Sequence, residues 1–504
     1  MPYEPLTIEI RQFFGGISDS PRKQTTNEFQ SSRHFDIFSD PQKLIPYRSL
    51  EADHATSVSS TDLKQYLVRD FVYASTSAKL YGLGQTGAGL TKILQKASAV
   101  DGLWTAPSSS EGNGAVWNGC FFEYKDYLWG FQGNTQLFKW GLLSGSPSIT
   151  NTAKTVGSTI SSVANGIIQP STGFAYVAYN NIIVRIESNT TTITDSAKTV
   201  PTNLKITSLC NYGTNIAIGC SPVSSFNGVS KVFIWNGSSD LFTETLDFGE
   251  GDLRVLEVVE GMLVGIVDRY LNNSVGAGKG SMVIMTYSGG VAQIVKEIFT
   301  QALVNKTIPI SKFIKNGRLF WAAKIMTNSA GTEYNEGIWS FGRKNVNYNY
   351  ALTLDIIDSN INTSGIQAIG LAGNYFFISH SADGSVDKTN DVATYAFTAV
   401  YESQIFNFGD PSITKRLEKF TIYTAPIPTS GSVTVKYKID AETSFTTIGT
   451  LNTVGLLTRD FYNIESTGVD FPTFKEIQFR IESVAGGAEP TGFKISAIPL
   501  IGSN

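Results

Sequence analysis

Tyr127-Leu128-Trp129-Gly130, a turn at Gly133-Asn134, then Leu137-Phe138-Lys139-Trp140-Gly141 is the stretch on which the fold turns. An apolar, partly aromatic run ends in a small residue, a turn follows, and a second run alternates before the next glycine. That is the pattern of a β-hairpin. The phrase recurs along the chain. Phe71-Val72-Tyr73-Ala74 is answered by Leu80-Tyr81-Gly82-Leu83-Gly84, Ala175-Tyr176-Val177-Ala178 by Ile183-Val184-Arg185-Ile186, and Ile216-Ala217-Ile218-Gly219 by Val232-Phe233-Ile234-Trp235. Met262-Leu263-Val264-Gly265 precedes Val283-Ile284-Met285, Leu319-Phe320-Trp321-Ala322 precedes Ile338-Trp339-Ser340-Phe341, and Phe376-Phe377-Ile378-Ser379 precedes Ala393-Thr394-Tyr395. The copies begin roughly 40 to 57 residues apart, the period of propeller blades. One hairpin cannot bury two faces, but a four-stranded blade stacked on its neighbours in a closed ring can. The expected fold is therefore all-β: a β-propeller of about seven blades over residues 61–407. A repetitive β-sandwich or prism array is the alternative.

Composition agrees with many short strands joined by turns. The 504 residues include 47 Gly, 12% aromatics and 16% charged residues. The 39 basic and 43 acidic residues are interspersed, so independent nucleic-acid binding is not expected. The start, Met1-Pro2-Tyr3-Glu4-Pro5, shows no secretory signal, and the most apolar run, near Met262–Val267, is too short to span a membrane. Three cysteines, Cys120, Cys210 and Cys220, do not make a disulfide framework and are expected to be free thiols, although Cys210 and Cys220 bracket one strand.

Residues 1–60 lack the repeat and read as an extended arm. Phe13, Phe14, Phe35, Phe38 and Tyr47 punctuate an otherwise polar, turn-rich stretch with too little apolar surface for a core of its own. These five are the candidate docking residues. Either they hold the arm against its own propeller, with a strand that completes a blade, or they reach an adjacent subunit. The second case predicts that a chain lacking residues 2–48 stays folded and fails to assemble. From Asn407-Phe408-Gly409-Asp410-Pro411 onward the strands lengthen, as in Val433–Ile439 and Ile477–Ile481, with one apolar and one charged face. Residues 408–504 are expected to form an antiparallel β-sandwich that docks.

Both ends of the chain carry a resemblance. Phe14-Gly15-Gly16-Ile17-Ser18-Asp19-Ser20-Pro21-Arg22, Ser32-Arg33-His34-Phe35-Asp36-Ile37-Phe38 and Leu44-Ile45-Pro46-Tyr47-Arg48 resemble the N-terminus of a group of tailed-bacteriophage virion proteins. Phe474–Ser483 and Gly486-Gly487-Ala488-Glu489 resemble the end of the same group. The resemblance implies a non-enzymatic structural part of the virion, most naturally a tail nozzle, hub or fibre anchor, made in the host bacterial cytoplasm. It implies other tail proteins as partners and a homo-oligomeric ring of copies. An alternative is a tail protein that binds a host-surface glycan or receptor through the long polar connections at 221–230, 269–281, 327–336 and 381–391. A glycan hydrolase is a third reading.

No catalytic, metal-binding or cofactor-binding residue is assigned. His34, His54 and His380 share no metal-site spacing, and H-E-x-x-H, G-x-S-x-G, P-loop and calcium-loop patterns are absent. Asp247, Glu250, Asp252 and Asp268 are candidates for a glycosidase carboxylate pair, with nothing in the sequence to set two of them face to face. Trp129, Trp140, Trp235, Trp321 and Trp339 fall inside repeat strands. Burying a ring of ~200 Å² is worth roughly 5 kcal/mol, so core packing is expected of them ahead of sugar stacking.

Overall fold

The computed structural model of the chain describes residues 4–18, 22, 27–53, 67–85, 90–96, 104–107, 111–115, 120–133, 135–223, 228–270, 280–300, 306–326, 334–357, 366–380, 386–389, 395, 398–462, 471–484 and 486–500. Among them there is no helix, and seven antiparallel sheets succeed one another along the chain. Blade 1 spans 67–115, blade 2 121–155, blade 3 167–199, blade 4 204–250, blade 5 252–300 and blade 6 306–357. Blade 7 takes three strands from 366–389 and its outermost from Leu50–Ala52.

The recurring hairpin supplies the two middle strands of blades 2 to 6. In blade 1 it is the innermost strand and its neighbour, and in blade 7 Tyr375–His380 pairs with Val386–Thr389, while Ala393 and Thr394, read as its second half, lie outside the described residues. In blade 2 the middle strands are Tyr127–Gln132 and Gln136–Gly141, paired Trp129 to Lys139 and Gly130 to Phe138. Gly130 is needed there: a Cβ would lie 2.6 Å from the Cys120 carbonyl and 2.8 Å from the Phe138 ring. Two-residue turns such as Glu260-Gly261 and Asn316-Gly317 join inner to second strands, with positive φ at both positions, the twist that suits a tight hairpin.

Alternation gives each blade two apolar faces, and each is buried in the cleft with the next blade. Seven apolar clusters fill these clefts, one for each neighbouring pair, with Phe71, Trp104 and Phe377 between blades 1 and 7. That last cluster closes the ring. All five tryptophans singled out above are buried. Cys210 packs between blades 4 and 5 and Cys220 between blades 3 and 4. They lie on opposite faces of one blade, and all three thiols are free. Mass spectrometry of unreduced protein should show three thiols; a quantitative Cys210–Cys220 bridge would contradict this packing.

The ring is also latched. The main-chain N–H of Asp53, just past the Leu50–Ala52 strand, donates to the Val386 carbonyl (2.8 Å). The Asp53 carboxylate accepts from Trp104 Nε1 (2.7 Å) and pairs with Lys96, both on blade 1. Lys96 is fully buried, so Asp53→Ala would strip a buried ammonium of its carboxylate and should cost about 3 kcal/mol. Urea unfolding checks this, and a loss under about 1 kcal/mol would mean the latch is solvated.

The C-terminal sandwich is not a module of residues 408–504 alone. One sheet runs Leu6–Ile10, Pro490–Pro499, Lys415–Thr424, Thr458–Tyr462; the other runs Thr446–Leu451, Ser432–Ile439, Ile477–Val484, Ala399–Glu402, Ser31–Arg33. The sandwich therefore starts before residue 408, and the arm contributes an edge strand to each sheet. The expectation that the arm's aromatics reach a neighbouring subunit is corrected accordingly. Phe13, Phe35 and Phe38 are buried in a core that runs from blades 5 and 6 into the sandwich. Phe14 meets Tyr348 edge-on at 4.8 Å, and Tyr47 meets Phe376 at 6.1 Å. The physical reason is plain: these side chains complete clefts that the chain's own blades and sheets leave open.

Where the arm crosses blade 6, a buried polar cluster fixes it. Tyr47 donates to Asp355 Oδ1 (2.9 Å), and Arg318 lies 3.7 Å from Asp355 and 3.6 Å from Asp36, its guanidinium over the Phe38 ring. Burial pushes the Asp355 carboxyl up to about 7 against the opposing pull of Arg318. The folded chain thus holds a proton there that the unfolded chain releases near pH 4. Its contribution to stability is full below about pH 4 and is lost as pH rises through 7. Asp355→Asn should therefore gain stability relative to the parent as pH rises from 4 to 7.5 in urea titrations. A difference that does not change with pH would contradict this.

Candidate functional site

The inner strands of the blades line the axis of the ring, and several begin with a β-bulge. Register shifts between Val68/Asp70, Ile206/Ser208, Leu253/Val255 and Ile366/Ala368 put Arg69, Thr207, Arg254 and Gln367 out of pairing. A bulge re-aims its side chain, and here the targets are neighbouring strands or blades. Arg69 Nη1 donates to Gln367 Oε1 (2.8 Å) across blades 1 and 7, and Thr207 Oγ1 donates to the Leu253 carbonyl (2.6 Å) across blades 4 and 5.

Below the bulges lies an axial pocket of about 330 Å³. Its wall includes Asp70, Phe121, Asn165, Cys210, Glu257 and Lys312, drawn from six blades or the segments leading into them. Each polar group there is held by the frame. Asp70 accepts from the main-chain N–H of Phe71 (2.9 Å) and of Phe121 (3.1 Å), tying blade 1 to blade 2. Burial nevertheless raises its pKa well above the usual carboxylate range. Asn165 clasps Leu209 at both its N–H (2.9 Å) and carbonyl (2.8 Å), tying the approach to blade 3 onto blade 4. Lys312 donates to Ser208 Oγ (2.8 Å) and to the Leu209 and Leu256 carbonyls, and pairs with Glu257 at 3.1 Å, joining blades 4, 5 and 6. Burial and the nearby Glu257 raise the Cys210 thiol, which keeps it protonated and poorly nucleophilic. These groups are stitches between blades.

Of the carboxylates considered from sequence, Asp252 and Asp268 do come face to face as a cross-strand pair, both buried. The bulged Arg254 lies between them, 2.7 Å from Asp252 and 3.5 Å from Asp268. Neither lines the axial pocket. Asp247 is largely exposed beside Lys231, and Glu250 is exposed. His34 is buried, and its pKa falls to about 3 because burial and Arg33 disfavour the charged ring. His380 is buried against Asp387 (3.1 Å), while His54 and most of the four long polar connections lie outside the described residues. Among the described residues no group of three or more His, Cys, Asp or Glu is placed to hold a metal ion, and no helix is long and apolar enough to cross a membrane.

The sequence reading missed Asp70, Asn165, Glu257 and Lys312. A signal was present: each is a polar residue in or beside the run that precedes a recurring hairpin. No protein-family profile matches the sequence, and no curated protein matches it. Solved structures do. The N-terminal domain of Nup159 aligns at 8% identity and a TM-score of 0.43, over 74% of this chain and 98% of that one. A catalytically inactive virginiamycin B lyase from Staphylococcus aureus aligns at 12% and 0.42, over 68% and 98%. The WD40 domain of Neurospora crassa Pan2 aligns at 10% and 0.41, over 70% and 98%. No activity or partner is carried from these proteins to this chain.

Proposed function

We propose that the chain is a non-enzymatic structural protein of a tailed-bacteriophage virion, a tail component such as a nozzle, hub or fibre anchor present in several copies. One observation carries the reading. The two terminal stretches that resemble phage virion proteins, more than 400 residues apart in sequence, meet in one folded unit. Ser31–Arg33 pairs with Ala399–Glu402, which pairs in turn with Arg480–Ser483. The Leu44 N–H donates to the Pro490 carbonyl (2.9 Å), Lys43 pairs with Glu489 (3.1 Å), and Arg22 takes Glu476 in a two-pronged ion pair (2.9 and 3.0 Å). This joining supports a mounting module built from the resembling segments, with the propeller as the body it carries. Engagement of the axial polar groups in blade-to-blade hydrogen bonds supports a rigid frame over a catalyst.

Quantitative mass spectrometry of purified particles of a phage encoding this chain tests the reading. The chain should be present at a fixed ratio to the major tail proteins, and the purified chain should release no reducing sugar from host envelope. Absence from purified particles, or robust sugar release, would overturn it.

A further inference from the structure

Free sheet edges invite pairing with another chain, and most of those in this molecule are blunted. The outer strands of blades 2 to 6 each pair through a register shift, as does the Thr446–Leu451 edge of the sandwich. The Leu50–Ala52 and Ser31–Arg33 edges are three residues long. Among the described strands, the free edges of five or more residues that pair without a shift are two, Leu6–Ile10 and Thr458–Tyr462. They are the opposite edges of the same sandwich sheet.

We infer that copies of this chain associate head to tail through these two edges, the Thr458–Tyr462 strand of one copy continuing its sheet into the Leu6–Ile10 strand of the next. Strand parity supports this partner. The sheet has four strands along its path, each antiparallel to its neighbour. Its two edges therefore run in opposite directions, and copies in one orientation meet antiparallel at every junction.

The faces match as well. On one edge Ile8 and Ile10 turn to the core while Thr7 and Glu9 are exposed. On the other, Phe461 packs against Gly449 of the facing sheet and Arg459, on the same side, donates to the Thr450 carbonyl, while Thr458, Asp460 and Tyr462 are exposed on the opposite side. Joined in antiparallel register, the side of Ile8 and Ile10 meets the side of Phe461, with the Arg459 guanidinium turned to the facing sheet, and the polar sides meet each other. Val454, Leu457 and Tyr462, more than half exposed beside this edge, would be covered. The contact is heterologous, so it closes into a ring or extends without end, and each short junction is reinforced by its neighbours. It stands on edge geometry and does not depend on the virion reading.

Cross-linking of the purified full-length chain tests it. Thr7→Cys is paired in turn with Thr458→Cys, Asp460→Cys and Tyr462→Cys, which samples the registers that keep polar faces together. Within one copy the two edges are about 14 Å apart across the sheet, beyond the roughly 7 Å a disulfide spans, so a bond must join two copies. The native thiols are buried and do not compete. Mild oxidation should give, for at least one pair, a ladder of covalent multimers beyond the dimer on non-reducing gels. Each single-cysteine variant should give none beyond the dimer. Monomer alone from all three pairs, in variants whose melting matches the parent, would overturn the inference.

Discussion

A chain lacking residues 2–48 is expected in the insoluble fraction, or soluble only as a loosened species that melts far below the parent. The cut removes an edge strand from each sandwich sheet and withdraws Phe13, Phe29, Phe35, Ile37, Phe38 and Leu44, all buried, from the core shared by blades 5 and 6 and the sandwich. Each lost aromatic alone would cost roughly 3 to 5 kcal/mol, against a total stability of about 5 to 15 kcal/mol for a typical domain. The outcome inferred from sequence, a folded chain that merely fails to assemble, is replaced for this reason. A soluble monomer with parental melting would show that the arm is dispensable to the fold.

Trp321→Ala is the single substitution expected to do most harm. Trp321 is fully buried on the second strand of blade 6, directly across from Trp339, in the cleft with blade 5. Neighbouring blades are locked by the closed ring, so the site cannot collapse to fill the void. The cost should sit near the upper end of the large-to-small range, about 5 kcal/mol. Trp321→Phe provides the control: the indole Nε1 makes no hydrogen bond, so the smaller ring gives up volume and no polar contact. It should lose well under half as much in urea unfolding. Equal losses would mean the indole nitrogen, and not packing, is what the site uses.

The propeller was legible because its middle strands are buried on both faces, as at residues 128–131 and 319–323, and read as aromatic and apolar runs. Inner strands were harder to see, since bulges place Arg69, Thr207 and Arg254 where alternation predicts another type of side chain. Outer strands such as Ser148–Thr155 are polar because one edge and much of one face meet water. The arm's role was invisible to local pattern for a different reason. Leu6–Ile10, Ser31–Arg33 and Leu50–Ala52 are short, and their partners at Phe493–Ala497, Val400–Glu402 and Asp387–Thr389 lie hundreds of residues away. Of the five aromatics, Phe13, Phe35 and Phe38 are buried and Phe14 and Tyr47 are half-buried, and sequence could not say against what. The axial stitches share this limit, because a lone Asp70 or Lys312 declares its partner only once the ring has closed.

The central claim, that this chain is a structural component mounted in a phage tail through its joined termini, is tested most directly by a cryo-electron microscopy map of the intact particle. The account predicts several copies around the tail axis, each a seven-bladed ring with the sandwich built from both ends of the chain facing its tail neighbours. A particle map in which every tail density is accounted for by other chains would contradict it.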